Sequence, residues 1–364
     1  ALVAMDVKTG GVLAMVSAPS YDANLFVSGI SQKNYSELLN SVDNPMFNRA
    51  IQGQYPPGST VKPLFGLIAL DNKTVSPSTR IEDPGFFFME GIERPWRDHN
   101  SERGGHGKGV DLAKAIIESC DVFFYKMGIK TGINILSSNS SAFGLGAKTG
   151  IDLPGEAIGI MPSRTWKKEN RNSSWFNGDT INMSIGQGFM LSTPLQLAVM
   201  TARIASKGKI IEPRLVKSVG GIDLVPAKTK QVKEIDPKYW DYIHDSMKGV
   251  VHSARGTATS INRGLTYTMA GKTGTAQVVS ISADDAYDKS KLNKRQWDHA
   301  LFIAFAPFDD PQIAVGLIVE NGEHGSSAAA PIARSVIDAY LQTNSKISSI
   351  PNDALKGLNV YANQ

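Results

Sequence analysis

A serine and a lysine one helical turn apart are the first residues in this sequence that could perform covalent chemistry. Ser59 and Lys62 open a stretch, Ser59 to Leu70, whose apolar spacing predicts a helix. On a helix these two positions share a face, so the hydroxyl meets the amine. A serine becomes a nucleophile when a nearby base takes its proton, and a partly buried lysine can be that base. Because S-x-x-K is frequent by chance, the pair alone is weak evidence for acyl transfer.

A second polar group lies in a break between two predicted helices, Val110 to Ser119 and Val122 to Gly128. A short loop there would project the side chains of Ser119 and Asp121 into a cleft beside Lys62. The alternative is that Asp121 only caps the N-terminus of the following helix, as aspartate commonly does.

A K-T-G triplet inside a predicted strand is the third group. The sequence has three such triplets, which begin at Lys130, Lys148 and Lys272. The first is typical of a helix C-terminus and the second of a glycine-rich turn, so only the third suits a binding site. There Lys272, Thr273 and Thr275 offer a cation and hydroxyl donors to a carboxylate, and Gly274 lets a ligand approach the backbone closely.

The elements that must position these residues predict a sheet made from both ends of the chain. A hairpin at residues 2–16 and strands at 265–279, 300–305 and 313–320 are expected to share it, before a final helix at 328–341. Residues 1–58 and 260–345 would form mainly the sheet side and residues 59–259 mainly a helical side, with a cleft between them.

Three segments complete this prediction. Thr193 and Pro194 introduce a helix at 195–205, residues 80–108 are expected to be irregular, and residues 280–299 are expected to form a long mobile loop.

Composition excludes several classes of protein. The 364 residues are 41% hydrophobic and 20% charged, which rules out wholesale disorder. A net charge of +4 gives no support for a nucleic-acid partner, and no run of 18 apolar residues predicts a membrane span. The single cysteine, Cys120, excludes an internal disulfide framework and a four-cysteine zinc module.

Taken together and in this order, the three motifs are those of penicillin-binding proteins and class A β-lactamases. The chain resembles the transpeptidase domain of class B penicillin-binding proteins over nearly its whole length. Further support comes from the runs SAPSYD at 17–22, YPPGST at 55–60, GIDLPGE at 150–156, IGQG at 185–188 and GKTGTAQ at 271–277. Asp121 stands where most of the superfamily has Asn, which is similar to the elongation-specific penicillin-binding protein 2 type of rod-shaped Gram-negative bacteria.

The resemblance implies a penicillin-binding/serine β-lactamase-like fold of α/β (α+β) class. That fold has an antiparallel five-stranded sheet flanked by helices, plus a helical subdomain. The resemblance also implies an N-terminal membrane helix and a pedestal domain, which we expect to be missing from this chain because its first strand begins at residue 1.

The implied activity is that of a serine D,D-transpeptidase that cross-links peptidoglycan stem peptides and is acylated by β-lactams, without a catalytic cofactor. By resemblance, Ser59 attacks the carbonyl of the penultimate D-Ala, Lys62 accepts its proton, and Ser119 passes that proton to the leaving D-Ala. Asp121 would orient Lys62 and contact the substrate amide.

The resemblance also assigns the binding groups around the scissile bond. Lys272, Thr273 and Thr275 would hold the terminal carboxylate of the substrate or of a β-lactam, with Gly274 between them. Backbone N–H groups of Ser59 and Thr275 would form the oxyanion hole.

Cys120 lies inside the second motif and has two interpretations. Free cysteines are usually small buried hydrophobes. Asp83, Asp98 and His106 precede it, however, and carboxylate, imidazole and thiolate are all zinc ligands. Some members of the penicillin-binding protein 2 family carry a structural zinc built from two Asp, one His and one Cys, an order that these four residues match. His99, next to Asp98, is the alternative histidine ligand.

Rival functions on the same fold are a D,D-carboxypeptidase, a β-lactamase or a β-lactam sensor domain. Class A β-lactamases deacylate with a glutamate-activated water, and Glu156 and Glu169 lie between the second and third motifs. A sensor would need a membrane signalling segment. For the transpeptidase, the resemblance implies partners in the elongation machinery, a membrane glycosyltransferase and a periplasmic scaffold protein, and a location at the periplasmic face of the inner membrane.

Overall fold

The first two strands of the chain form an antiparallel hairpin, β1 (Leu2–Asp6) and β2 (Val12–Val16). The turn is closed by Asp6, whose carboxylate accepts the backbone N–H groups of Lys8 and Thr9 at 2.8 and 2.7 Å. The computed structural model describes residues 1–224, 230–279 and 292–348. The hairpin is confirmed where the sequence predicts it.

The remaining strands follow in chain order. They are β3 (Ile81–Asp83), β4 (Phe86–Met89), β5 (Ile92–Arg97), β6 (Gly107–Val110), β7 (Ser218–Val219), β8 (Ile222–Asp223), β9 (Ala270–Ala276), β10 (His299–Ala306) and β11 (Ile313–Val319).

Along the chain, all the helices but the last come after β2 and before β9. They are α1 (Gln32–Leu39), α2 (Lys62–Asp71), α3 (Leu112–Ile117), α4 (Asp121–Thr131), α5 (Ile133–Ser141), α6 (Arg164–Arg171), α7 (Asn177–Ser184), α8 (Pro194–Ala205), α9 (Pro237–His252) and α10 (Ala330–Ser348).

Strands from both ends of the chain build one antiparallel five-stranded sheet in the order β2-β1-β11-β10-β9. This confirms the predicted sheet. Two of the three inner strands, β10 and β11, are almost wholly buried, as their unbroken apolar runs require. Helix α8 packs against β11 and β1, α9 against β9, and α10 against β10 and β11.

Helix α8 shows how the local sequence places a buried helix against this sheet. Thr193 and Gln196 form a capping box, and Pro194 occupies the first turn, where a missing N–H costs nothing. All twelve residues of α8 are buried. Gly316 of β11 permits the close approach, because a Cβ there would lie 2.5 Å from the backbone nitrogen of Ala198.

The segment at residues 80–108, expected to be irregular, instead forms short strands. Two small antiparallel pairs are present, β3 with β6 and β4 with β5. The prediction was wrong because these strands are three to six residues long. Positive-φ glycines such as Gly85, Gly91 and Gly105 separate them, so no periodic pattern is long enough to identify a strand.

Two further findings concern the chain outside the main sheet. Residues 280–291 of the expected mobile loop lie outside the described residues, and the segment then forms a 3-10 turn at Lys294–Gln296 before β10. In the described ranges, no helix combines the length and hydropathy that a membrane span needs.

Candidate active site

Ser59 lies in a 3-10 turn, Gly58–Val61, that leads directly into α2. The predicted helix therefore begins three residues later than expected. Pro63, in the first turn of α2, has no N–H to donate, and the hydroxyl of Thr60 donates to the carbonyl oxygen of Pro57 at 2.7 Å, which holds the turn. Ser59 is half-buried, and its hydroxyl makes no hydrogen bond to any other residue in the described ranges. The nucleophile is thus held by its backbone, with its oxygen left for a substrate.

Lys62 lies at the start of α2 with its side chain fully buried. Its Nζ donates to the backbone oxygen of Ser119 and to Oδ1 of Asp121, both at 2.6 Å, and to Oγ of Ser119 at 3.3 Å. The ring of Phe124 lies beside it, with the centroid 5.3 Å from Nζ. The first and second motifs are therefore brought into direct contact, as the sequence predicts.

Asp121 is the first residue of α4, and its contact with Lys62 joins the second motif to the first. Burial raises the pKa of its carboxyl, but the Lys62 charge and His99 outweigh burial and hold that pKa below its usual range. The backbone N–H of His99 donates to Oδ2 of Asp121 at 3.1 Å. Ser119 has a positive φ of 62°, a strained conformation for a serine. Strain of this kind is typical of functional sites.

Lys272 approaches the same serine from β9. Its Nζ donates to Oγ of Ser119 at 2.9 Å and to the backbone oxygen of Thr273 at 3.0 Å, and its side chain is fully buried. Burial lowers the pKa of Lys272 well below its usual value, and the charge of Lys62 lowers it further. The hydroxyl of Ser119 thus lies between the two lysine amines.

Thr257 is a neighbour of the third motif that the sequence analysis missed. Its Oγ1 lies 2.7 Å from Oγ1 of Thr273. The residue follows α9 in a turn with no recognisable motif, so only the packing of α9 on β9 identifies it.

The nucleophile turn lies against the K-T-G strand with no space between them. A Cβ on Gly58 would lie 2.4 Å from the backbone oxygen of Thr275, and a Cβ on Gly274 would lie 2.7 Å from Cγ2 of Thr60. The face of Gly274 where a Cβ would stand therefore packs against the nucleophile turn. Gly274 is therefore required by the close approach of the nucleophile turn, whereas the sequence predicts the close approach of a ligand there.

The turn after α7 contacts both of these segments. The N–H of Gly58 donates to the oxygen of Gly186 at 2.9 Å, and Nε2 of Gln187 donates to the oxygen of Thr275 at 2.9 Å. The IGQG run supports the family resemblance, but the contact of Gln187 with Thr275 is not visible in the sequence, because the two residues lie far apart in the chain.

Four candidate metal ligands converge beside the second motif. One ligand atom each of Asp83, Asp98, His106 and Cys120 lies within 4.8 Å of the others, and all four residues are buried. Cys120 Sγ is 3.1 Å and His106 Nδ1 is 2.7 Å from Oδ2 of Asp83. Burial, then Asp98 and Asp83, raise the pKa of the Cys120 thiol. Three acidic groups and an imidazole packed together without solvent fit a divalent cation, which would offset their repulsion.

The alternative histidine, His99, lies on the other side of Asp98. Its Nδ1 is 3.2 Å from Oδ1 of Asp98 and 3.6 Å from Oδ2 of Asp121, and half of its side chain is exposed. The cluster that contains Cys120 includes His106 and not His99. Asp98 also connects this cluster to the second motif, because its Oδ2 accepts the N–H of Asp121 at 2.6 Å.

The two glutamates considered for a hydrolytic water have other surroundings. Glu156 is buried, and its Oε1 accepts the N–H of Thr149 at 2.7 Å, so it stabilises the GIDLPGE turn. Glu169 lies on an exposed part of α6. Neither position resembles a glutamate that activates a water beside Ser59.

Known proteins similar to this chain have the same fold. The family described as penicillin binding protein transpeptidase domain matches residues 1–338. The chain is 43% identical to the peptidoglycan D,D-transpeptidase MrdA of Acinetobacter baumannii over 350 residues, which cover 95% of this chain and 51% of that protein. The chain spans about half the length of the curated relatives that it matches.

Solved structures agree with this match. Pseudomonas aeruginosa PBP2 in complex with WCK 5153 superposes with a TM-score of 0.85 at 46% identity, covering 93% of this chain and 70% of that one. The complex of PBP2 with MreC from Helicobacter pylori contains a chain that superposes with a TM-score of 0.82 at 34% identity, covering 94% of this chain and 60% of that one. The resemblance seen in the motifs is confirmed, and the chain belongs to the family of penicillin-binding protein transpeptidase domains.

Proposed function

We propose that this chain is the catalytic domain of a peptidoglycan D,D-transpeptidase of the penicillin-binding protein 2 type. The observation that carries the proposal is the position of Ser119, whose hydroxyl lies between the amines of Lys62 and Lys272 at 3.3 and 2.9 Å. Ser119 thus links the proposed base to the proposed carboxylate-binding cation, and the proposed nucleophile, Ser59, stands three residues before that base in the chain. The domain is a single unit, with residues 1–58 and 260–345 mainly on the sheet side and 59–259 mainly on the helical side.

The first step is attack by Oγ of Ser59 on the carbonyl carbon of the penultimate D-Ala. Lys62 can take the proton of Ser59 only as a neutral amine. Its own extra proton leaves through Ser119, which accepts it at Oγ and passes its hydroxyl proton to Nζ of Lys272. The lowered pKa of free Lys272 keeps its amine neutral, so it is able to accept the proton, and the approach of an anionic substrate favours the transfer by stabilising the charged ammonium.

The tetrahedral intermediate then collapses to an acyl-enzyme. The C–N bond to the terminal D-Ala breaks, and the leaving amine takes the proton held by Lys62 through the hydroxyl of Ser119. An amine from a neighbouring stem peptide attacks the ester and gives its proton to Lys62, which returns a proton to Ser59 Oγ as that oxygen departs and the new peptide bond forms. A β-lactam undergoes the first step, and its opened ring remains on Ser59.

Binding of the terminal carboxylate is assigned to the third motif. Lys272 supplies the charge and Thr273 and Thr275 the hydroxyl donors. Backbone N–H groups of Ser59 and Thr275 receive the developing oxyanion, a role supported by the contact between the Gly58 and Thr275 backbones. Asp121 holds the side chain of Lys62 in place by accepting a hydrogen bond from its Nζ.

The buried cluster is proposed as a structural zinc site held by Asp83, Asp98, His106 and Cys120. When bound, zinc would neutralise the acidic side chains and fix the small strands of residues 81–110 beside the second motif. Asp98 would transmit that order through its hydrogen bond to Asp121. No catalytic step uses the metal, and catalysis needs no cofactor.

We further propose that the whole protein acts at the periplasmic face of the inner membrane. Peptidoglycan stem peptides and β-lactams are its ligands, and a glycosyltransferase and a scaffold protein of the elongation machinery are its partners. The scaffold is supported by the complex of the Helicobacter pylori relative with MreC. The domain has no proposed nucleic-acid partner.

The test is labelling with a fluorescent penicillin, followed over hours. The wild type should acquire a stable label, Ser59→Ala should not, and Ser335→Ala, which changes an exposed serine of α10, should label normally. Rapid loss of label with release of hydrolysed drug would favour a β-lactamase. Stable labelling without cross-linking of a donor peptide to an acceptor amine would favour a sensor, and release of D-Ala by water alone would favour a carboxypeptidase.

A further inference from the structure

The turn that follows α7 joins the two backbone segments that flank the proposed oxyanion hole. The oxygen of Gly186 accepts the N–H of Gly58, the residue before Ser59, at 2.9 Å. The next side chain, Gln187, donates from Nε2 to the oxygen of Thr275 at 2.9 Å, on the strand that supplies the second N–H. Gly186 and Gln187, which are adjacent in the chain, thus contact both backbone segments that flank the proposed oxyanion hole.

The turn itself is fixed on a helix. The N–H of Gly186 donates to the oxygen of Met183 at 2.8 Å, and the N–H of Gln187 donates to the oxygen of Asn182 at 3.0 Å. Both acceptors belong to the last turn of α7. At the other end of α7, Asp179 forms an ion pair with the buried Lys167. The side chain of Gln187 therefore extends from a rigid element, as a positioning group must.

Close packing makes the position of Thr275 sensitive to this turn. A Cβ on Gly186 would lie 2.2 Å from the oxygen of Gly58, and a Cβ on Gly58 would lie 2.4 Å from the oxygen of Thr275. The backbones of Gly186, Gly58 and Thr275 are therefore packed in contact. The hydrogen bond from Gln187 restrains the carbonyl of Thr275. Among the described strands, β9 lies at the edge of the sheet and pairs only with β10.

We propose that Gln187 is a positioning residue for the oxyanion hole. By fixing the carbonyl of Thr275 it fixes the end of β9 and so the distance between the N–H groups of Ser59 and Thr275. Those donors act only when both are about 2.7–3.1 Å from the oxyanion. Gln187 contacts no reacting atom in this scheme. The inference rests on the proposed transpeptidase function.

Three variants test it by pre-steady-state acylation with a penicillin, which separates the non-covalent affinity from the acylation rate constant. Gln187→Met keeps the volume and removes the donor, Gln187→Glu places an oxygen against the carbonyl, and Gln54→Ala changes an exposed glutamine as a control. For Gln187→Met we expect the acylation rate constant to fall about tenfold or more, since loss of a whole oxyanion donor lowers the rate by about 10²–10³. Its non-covalent affinity for penicillin and its Tm should stay unchanged.

A pH series supplies a readout that a merely structural role would not change. Protonated glutamic acid can donate to the Thr275 carbonyl, whereas glutamate cannot. The ratio of the acylation rates of Gln187→Glu and Gln187→Met should therefore rise as the pH falls toward the ordinary glutamate pKa of about 4.3. A ratio independent of pH, or a loss seen only in affinity or in Tm, would overturn the role of Gln187. Wild type that cannot be acylated at all would overturn the proposed function first.

Discussion

The Nζ atom of Lys62 lies 2.6 Å from Oδ1 of Asp121, and the lysine side chain is fully buried. A buried ion pair differs from a surface pair, because removal of one partner leaves a charge without solvent or counter-charge. The pair also joins the first motif to the second, so the same contact that holds the base in place contributes to the stability of the fold.

A double-mutant cycle should measure this coupling. Lys62→Met removes the buried counter-charge of the Asp121 carboxylate, and Asp121→Asn removes the counter-charge of the Lys62 ammonium. Each should lower the free energy of unfolding, by as much as about 3–5 kcal/mol. The double variant carries neither charge and should recover part of that loss, with a coupling of about 1–3 kcal/mol in chemical denaturation. Strictly additive losses would contradict a direct pair.

Removal of the Ser119 hydroxyl should interrupt proton transfer between the two lysines. Ser119→Ala should lower the rate constant for penicillin acylation by about 10²–10⁴, the usual contribution of a positioned proton-transfer group. Its non-covalent affinity should change little, because Lys272 remains. Ser140→Ala, at a buried serine of α5 whose hydroxyl donates to the Leu136 oxygen, is the matched control. Normal acylation by Ser119→Ala would exclude the relay.

Gly274→Ala should displace the nucleophile turn. The new Cβ would lie 2.7 Å from Cγ2 of Thr60 and 3.1 Å from the oxygen of Pro57. Since misplacement of a reacting group by about 1 Å can cost about 10² in rate, we expect the acylation rate constant to fall by at least about tenfold. Gly178→Ala is the control, because its Cβ would meet only Trp96 at 3.4 Å, and acylation should be unaffected. Equal rates for both variants would contradict the tight packing.

Much of this site could be predicted from the sequence, because its motifs are local. Ser59 and Lys62 share a face over a single turn, and the break before α4 is visible as two polar residues between helices. The strand around Lys272 is visible as an alternating, β-rich stretch around the GKTGT sequence. Each of these signals lies within a few residues, and the strands at the two ends of the chain indicated which strands share the sheet.

The parts that the sequence did not predict depend on contacts between distant segments. Gln187 and Thr275 are 88 residues apart, and no local pattern shows that the side chain reaches the strand. The hydrogen bond between the hydroxyls of Thr257 and Thr273 is of the same kind. The positive φ of Ser119 is also invisible in the sequence, since serine has no local preference for that conformation.

His244 should make the fold less stable in acid. Burial lowers the pKa of this histidine, whose Nε2–H donates to the oxygen of Ile204 at 2.8 Å. Below the ordinary histidine pKa of about 6.5 the unfolded chain binds a proton that the folded chain resists, so stability falls as the pH falls through that value toward the lower folded pKa. His244→Phe should reduce this slope in denaturation between about pH 7 and pH 5. His324→Phe, at an exposed histidine, should leave the slope unchanged.

Purified protein should contain a single zinc bound by the buried cluster, with a Tm that falls when the metal is chelated. Cys120→Ser should lose the zinc, because a neutral hydroxyl replaces a thiolate ligand. His99→Gln is the matched control, since that side chain lies outside the cluster that holds Cys120, and it should retain the metal. The Asp98 carboxylate accepts the N–H of Asp121, so loss of zinc should also loosen the second motif and slow acylation. Metal-free protein with an unchanged Tm and normal acylation would show instead that the four residues satisfy one another by hydrogen bonds alone.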